Sequence, residues 1–147
     1  MFEKPQNGCI TFKSGNFIGK CSFINPFTFK LLESLNEHIL TDNSVCVTID
    51  EEGSDFTFVF TEYSNVYIII NRTFLQITAL DLTPFEFAKE LVKDIEENLI
   101  DWERFVLAEE KYVEEFDDIA EKHYILEEFQ ERLKLLKYTI NKEEERK

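Results

Sequence analysis

Gly15, Gly19 and Lys20 come nearest to a motif with chemistry in it, because a glycine-rich loop closed by Lys lets backbone N–H groups cradle phosphate. The glycines stand one residue too close for a P-loop, Cys21 occupies the place of the Ser or Thr that would meet magnesium, and strand-forming residues follow instead of a helix. A hairpin with glycine at positions of positive φ accounts for them better. His38 and His123 are the only histidines, and neither has the His-Glu-x-x-His spacing of a zinc site. His123 falls on an apolar helical stripe, where a hydrogen-bonded core or boundary histidine is expected, and nothing sets His38 against Cys46 as base and nucleophile. Asp50, Glu51, Glu52 and Asp55 crowd one loop with oxygen ligands, but their spacing is not that of an EF-hand and they read as a charged, solvated hairpin tip. Cys9, Cys21 and Cys46 fit neither a Cys-x-x-Cys pair nor a disulfide scaffold, and read as reduced, buried thiols. The expectation is a chain with no catalytic residue, no metal and no cofactor.

The elements that would position these residues follow from period and turn chemistry. Cys9 to Lys13 and Phe17 to Ile24 read as a hairpin turning at Ser14, Gly15 and Asn16. Asn25 as N-cap and Pro26 as first helical residue open a helix carrying Phe27, Leu31, Leu32, Leu35 and Ile39 on one face. Strands follow at Ser44 to Asp50, Phe56 to Tyr63 and Val66 to Ala79, the last long enough to turn at Asn71 and Arg72, with Ser64 and Asn65 as a two-residue turn before it. Thr83 and Glu86 around Pro84 make a capping box, and Ala88, Leu91, Val92, Ile95 and Leu99 form the buried stripe of the helix it opens. Helix carries the chain onward, in one stretch after Asp101 and one with Ile125, Phe129, Leu133, Leu136 and Ile140, and the pattern allows the two to be separate or continuous. The expected fold is α+β in one domain over residues 1–147: an antiparallel sheet of five to six strands, one helix inserted after the second, and a helical C-terminal half packed on one face. Asn141 to Lys147 is polar enough to fray.

Charge is the feature these elements leave unexplained. The chain carries a net charge of −14, and Asp94 to Glu121 alone holds twelve acidic residues against Arg104 and Lys111. Wound as one helix, that stretch puts Glu96, Glu103, Glu110, Glu114, Asp117 and Glu121 on one face, with Phe105, Ala108, Tyr112, Phe116, Ile119 and His123 opposite. Like charges at i,i+4 oppose helix formation by a few tenths of a kcal/mol per pair, so the stripe is expected to serve either solubility or a basic partner, with Trp102, Phe105 or Tyr112 at its margin as an aromatic anchor. Direct nucleic-acid binding is disfavoured, because phosphates brought to this surface would be repelled. No stretch approaches the ~18 apolar residues of a membrane span, and no secretory signal is visible, so a cytoplasmic protein is expected.

Small size, strong acidity and a helix/strand mixture without catalytic motifs resemble the immunity proteins that bacteria carry against their own polymorphic or contact-dependent toxins. The resemblance is one of class, covering the chain in size, charge and composition, and it carries no residue motif. It implies a cytoplasmic inhibitor whose acidic surface meets a basic toxin domain, such as a nuclease. The few alanines among many Phe, Ile, Asn, Lys and Glu suit an AT-rich bacterial or phage genome. The same stripe would suit an acidic phage protein that mimics nucleic acid; an adaptor or assembly subunit would use an aromatic interface instead, and an enzyme of another family would need a site with no known motif.

Overall fold

The computed structural model describes residues 1–111 and 119–146. At Gly15 φ is +58°, in the left-handed region that glycine enters without a Cβ clash, and the turn there joins β1 (Cys9–Ser14) to β2 (Phe17–Ser22). The two strands pair antiparallel, Cys9 against Ser22 through to Ser14 against Phe17. After α1 (Thr28–Thr41) comes a four-stranded antiparallel meander of β3 (Val45–Asp50), β4 (Asp55–Phe60), β5 (Tyr67–Asn71) and β6 (Leu75–Ala79), adjacent in that order. Then follow α2 (Pro84–Glu97), α3 (Leu99–Lys111) and α4 (Ile119–Glu145).

The α+β class is as expected, but the strands divide into two sheets instead of forming one. Gly19 supplies a physical reason. A Cβ there would stand 2.6 Å from the Phe56 ring, so glycine lets β2 pass closely over the face of β4. Gly19 thus serves close approach and not, as expected from sequence, a positive φ. Phe17 packs on Phe56 and Phe12 on Phe58 with ring centroids 5.1 and 5.0 Å apart, both edge to face, which makes the hairpin a second layer.

The meander alternates as a sheet covered on one face must. Val47, Ile49, Phe56, Phe58, Phe60, Ile68 and Ile70 are buried, while Cys46, Thr48, Tyr67 and Ile77 stand exposed on the other side. The hairpin and α2 share the buried face, with Phe87 of α2 centred 5.1 Å from both Phe58 and Phe60. One apolar cluster extends from Phe2 to Ile140.

Local signals placed the start of α2, but the helix ends at Glu97 and Leu99, expected on its buried stripe, is exposed and opens α3. Thr83 and Glu86 form the reciprocal capping box, and Leu91, Val92 and Ile95 are buried. α1 departs from expectation. It starts at Thr28 with Phe27 as N-cap, not at Asn25 and Pro26, because its acceptor comes from elsewhere: the backbone N–H groups of Phe27 and Thr28 donate to the Glu109 carboxylate. The polar end of the chain is helical as far as Glu145, and Lys89 of α2 meets Glu144 at 2.6 Å. Among the described residues, no helix is long and apolar enough to cross a membrane.

Candidate functional site

The acidic stripe is the first place to look, and its described members turn out to be engaged within the fold. Glu96 of α2 accepts from Lys137 of α4 at 2.7 Å, and Gln130 of α4 donates to Glu103 of α3 at 3.5 Å. Glu110 stands near Arg132 of α4 and Glu33 of α1; burial raises its carboxyl above the ordinary value while Arg132 pulls it back. Arg132 itself binds Glu33 at 2.6 Å and Glu128, and lies 4.4 Å over the Phe29 ring. These carboxylates line the seams between α4 and its neighbours, so they have a structural use that sequence alone does not disclose. The break at Asn98, with φ −134° and ψ 43°, also ends the continuous winding from Glu96 to Glu103 on which a single stripe depends. Glu121 lies in the first turn of α4, where a carboxylate complements the helix dipole. Glu114 and Asp117 lie outside the described residues, as do Tyr112 and Phe116.

Trp102 requires a correction. It is 0% exposed, with its ring centroid 5.9 Å from that of Phe2 and 6.3 Å from that of Phe105, so it anchors the core and presents nothing to a partner. Its indole N–H has no hydrogen-bond partner among the described residues. The opposite side of the predicted helix also departs from expectation. Phe105 is buried, but Ile119 is exposed, and His123 is an exposed side chain bonded to Glu127 at 2.9 Å and not a core histidine.

The other sequence candidates resolve into structural roles. His38 is buried and its Nδ1 meets the Asn43 carbonyl at 2.7 Å, securing the chain just past α1. Cys46 is exposed, as is Cys9, so only Cys21 is the buried thiol expected of all three; burial pushes its pKa far up. Glu51 is not part of a solvated tip. Arg72 grips it through Nε at 3.0 Å and Nη2 at 2.8 Å, Lys20 donates its backbone N–H at 3.0 Å, and Arg72 also donates to the Ile18 carbonyl. Burial alone would raise the Glu51 carboxyl, yet Arg72 and Lys20 outweigh it and hold the pKa below the usual value.

A surface that the sequence did not single out has the better geometry. A groove of about 800 Å³ opens where the end of α1, the β4–β5 loop and the start of α2 meet. Asp42, Glu62 and Glu143 supply its charge, Tyr63, Tyr67 and Phe85 its aromatic surface, and among the described residues no Lys or Arg lines it. The loop is longer than the two-residue turn expected at Ser64 and Asn65, since β4 ends at Phe60 and β5 begins at Tyr67. Tyr63 is held at φ +62° and is 96% exposed. A bulky aromatic residue in the left-handed region is uncommon, and this one gains no burial in return.

Asp42 breaks a second local rule. It caps the C-terminus of α1 at φ +60°, its N–H donating to the His38 carbonyl at 2.8 Å, and so sets a carboxylate at the negative end of the helix dipole. Glu62 accepts from the Tyr63 hydroxyl and, with Asp42 adding its charge, raises the phenol pKa. The arrangement suits a Lys or Arg side chain, which would find carboxylates to pair with and tyrosine faces for cation–π contact. The sequence signal was present only as Glu62-Tyr63 before a turn, with nothing to say that Asp42 and Glu143 would join them.

Comparison of the chain with protein-family models, with curated proteins and with solved structures finds no match.

Proposed function

We propose that this chain is a non-catalytic inhibitor that binds a basic protein, in the manner of the toxin-immunity proteins it resembles in size, acidity and α+β make-up. The partner is a toxin domain, such as a nuclease, whose Lys or Arg side chains enter the groove beside Tyr63. One observation carries the reading: carboxylates and tyrosines share an open groove that no Lys or Arg lines among the described residues, with exposed Tyr63 at a left-handed φ and the Asp42 carboxylate at the negative end of the α1 dipole. Proteins tend to break local rules of this kind where a surface is used. A net charge of −14 adds long-range attraction for a basic partner and speeds encounter.

Affinity capture from the native host with mass spectrometry, run side by side with the native chain, Tyr63→Ala and Glu62→Lys, tests the reading. A basic protein captured by the native chain and lost with both variants supports it. Capture that is indifferent to both substitutions moves the binding surface away from the groove, and capture of no basic protein ends the proposal.

A further inference from the structure

The two edges of the meander are treated differently. α1 lies against β3 at one edge, whereas β6 forms the other edge and has no strand beside it among the described residues. Edge strands are commonly guarded by Lys, Pro, a bulge or a covering element. Among the described residues β6 has none of these over Phe74 to Leu80, a run without a charged residue in a chain that is 31% charged. Phe74, Leu75 and Ile77 are 74%, 71% and 67% exposed.

The direction of the backbone groups follows from parity. The Leu80 N–H donates to the Val66 carbonyl at 2.8 Å and the Phe74 carbonyl accepts from the Arg72 N–H at 3.4 Å, so even-numbered residues turn their polar groups toward β5. Leu75, Ile77 and Ala79 therefore aim their N–H and C=O at the open edge. On the buried side, a groove of about 600 Å³ runs under β6, lined by Phe17, Ile70, Phe74 and Leu80 and walled by the β1–β2 turn.

We infer that β6 is the pairing site for a second copy of this chain, antiparallel about a two-fold axis at Ile77, so that the two four-stranded sheets become one. Ile77 then faces its own copy and Leu75 faces Ala79, which satisfies every outward N–H and C=O of the strand with about six hydrogen bonds. The same register sets Phe74 of one copy opposite Leu80 of the other, at the groove under the strand. Arg72 and Asp81, the charges that bracket β6, are of opposite sign, and antiparallel pairing brings each near the other's counterpart. An uncharged strand is also the part of a −14 chain where two copies meet with least repulsion. The exposed surface of Phe74, Leu75 and Ile77 is on the order of 400 Å², about half of what each partner buries in a standard interface, before backbone, Tyr67 and Ala79 are added.

Sedimentation velocity on the full chain at roughly 1 to 100 μM tests this. The native chain is expected to be dimeric, more so at higher salt because like net charges are screened. Ile77→Lys is expected to be monomeric with an unchanged circular dichroism spectrum and a thermal midpoint that, unlike the native one, does not rise with protein concentration. Ile77→Cys reports the register, since a hydrogen-bonded antiparallel pair holds Cα atoms about 5.5 Å apart, inside disulfide range. Oxidation should link it into a covalent dimer while Leu40→Cys, an exposed position on α1, stays unlinked. A native chain that is monomeric throughout the range, including one that pairs β6 only with a strand of another protein, overturns the inference. So does a dimer that survives Ile77→Lys, or an Ile77→Cys chain that links no better than Leu40→Cys.

Discussion

Oε2 of Glu109 accepts the backbone N–H of Phe27 at 2.7 Å from 82 residues further along the chain, and accepts that of Thr28 at 3.3 Å. A buried carboxylate from α3 thereby satisfies the first N–H groups of α1, where no local side chain does so. Burial pushes the Glu109 carboxyl up to about 7, even though its contacts with Thr28 and Phe27 pull the other way.

This coupling sets a pH dependence with a definite sign. The unfolded chain releases the Glu109 proton near its ordinary value of 4.5 and the folded chain only near 7, so between the two the folded state holds the extra proton. The contribution to stability is therefore full below about 4.5, declines as pH rises through about 7, and is flat above, a loss on the order of 3 kcal/mol. Glu109→Gln keeps an acceptor for the two N–H groups and cannot ionise. Urea unfolding of both proteins at pH 5 and pH 8 should show Glu109→Gln gaining on the native chain as pH rises; an equal difference at both pH values would contradict the assignment.

Gly19→Ala should destabilise the fold by about 1 to 3 kcal/mol through overpacking. The new methyl would meet the Phe56 ring, which has little room to withdraw because it is fully buried with Phe17 and Phe58 at centroid distances of 5.1 and 5.6 Å. A thermal midpoint equal to that of the native chain would mean that the hairpin can lift off the meander without cost.

On α2, Leu91→Ala should cost about 2 to 5 kcal/mol as a core truncation. Thr83→Ala should cost about 1 kcal/mol by removing the capping box. Thermal or denaturant unfolding reads both, and Leu91→Ala should be the larger effect, since it removes buried carbon and Thr83→Ala only an exposed cap.

With the captured partner in hand, Asp42→Lys combined with Glu62→Lys should slow association and flatten its dependence on ionic strength, leaving dissociation less affected. Both residues are exposed, so the fold should tolerate the reversal. Glu110→Lys is expected to act differently, because it sets a cation near Arg132 at the α3–α4 seam and should lower the thermal midpoint without changing the association rate. Stopped-flow kinetics at low and physiological salt separate the two sites. Equal slowing by both would return the acidic stripe to the interface.

Sequence by itself determined what is decided within a few residues. Thr83, Pro84 and Glu86 cap α2 because all three act on one helical turn, and Val47 and Ile49 alternate with Cys46 and Thr48 because a strand has a period of two. The strand and helix order and the α+β class follow from such signals. Tertiary structure alone decided which surfaces meet. Gly19 looks like turn chemistry until Phe56 is set against it, Glu109 looks like one more surface carboxylate until α1 brings it two unpaired N–H groups, and Trp102 looks like an anchor until Phe2 packs on its ring. Asp42, Glu62 and Glu143 come from three elements and share a groove only because the meander and the helices pack together. Periodicity and capping are near-neighbour effects, whereas apposition depends on how every buried face is shared out among the others, and no short window of sequence contains that information.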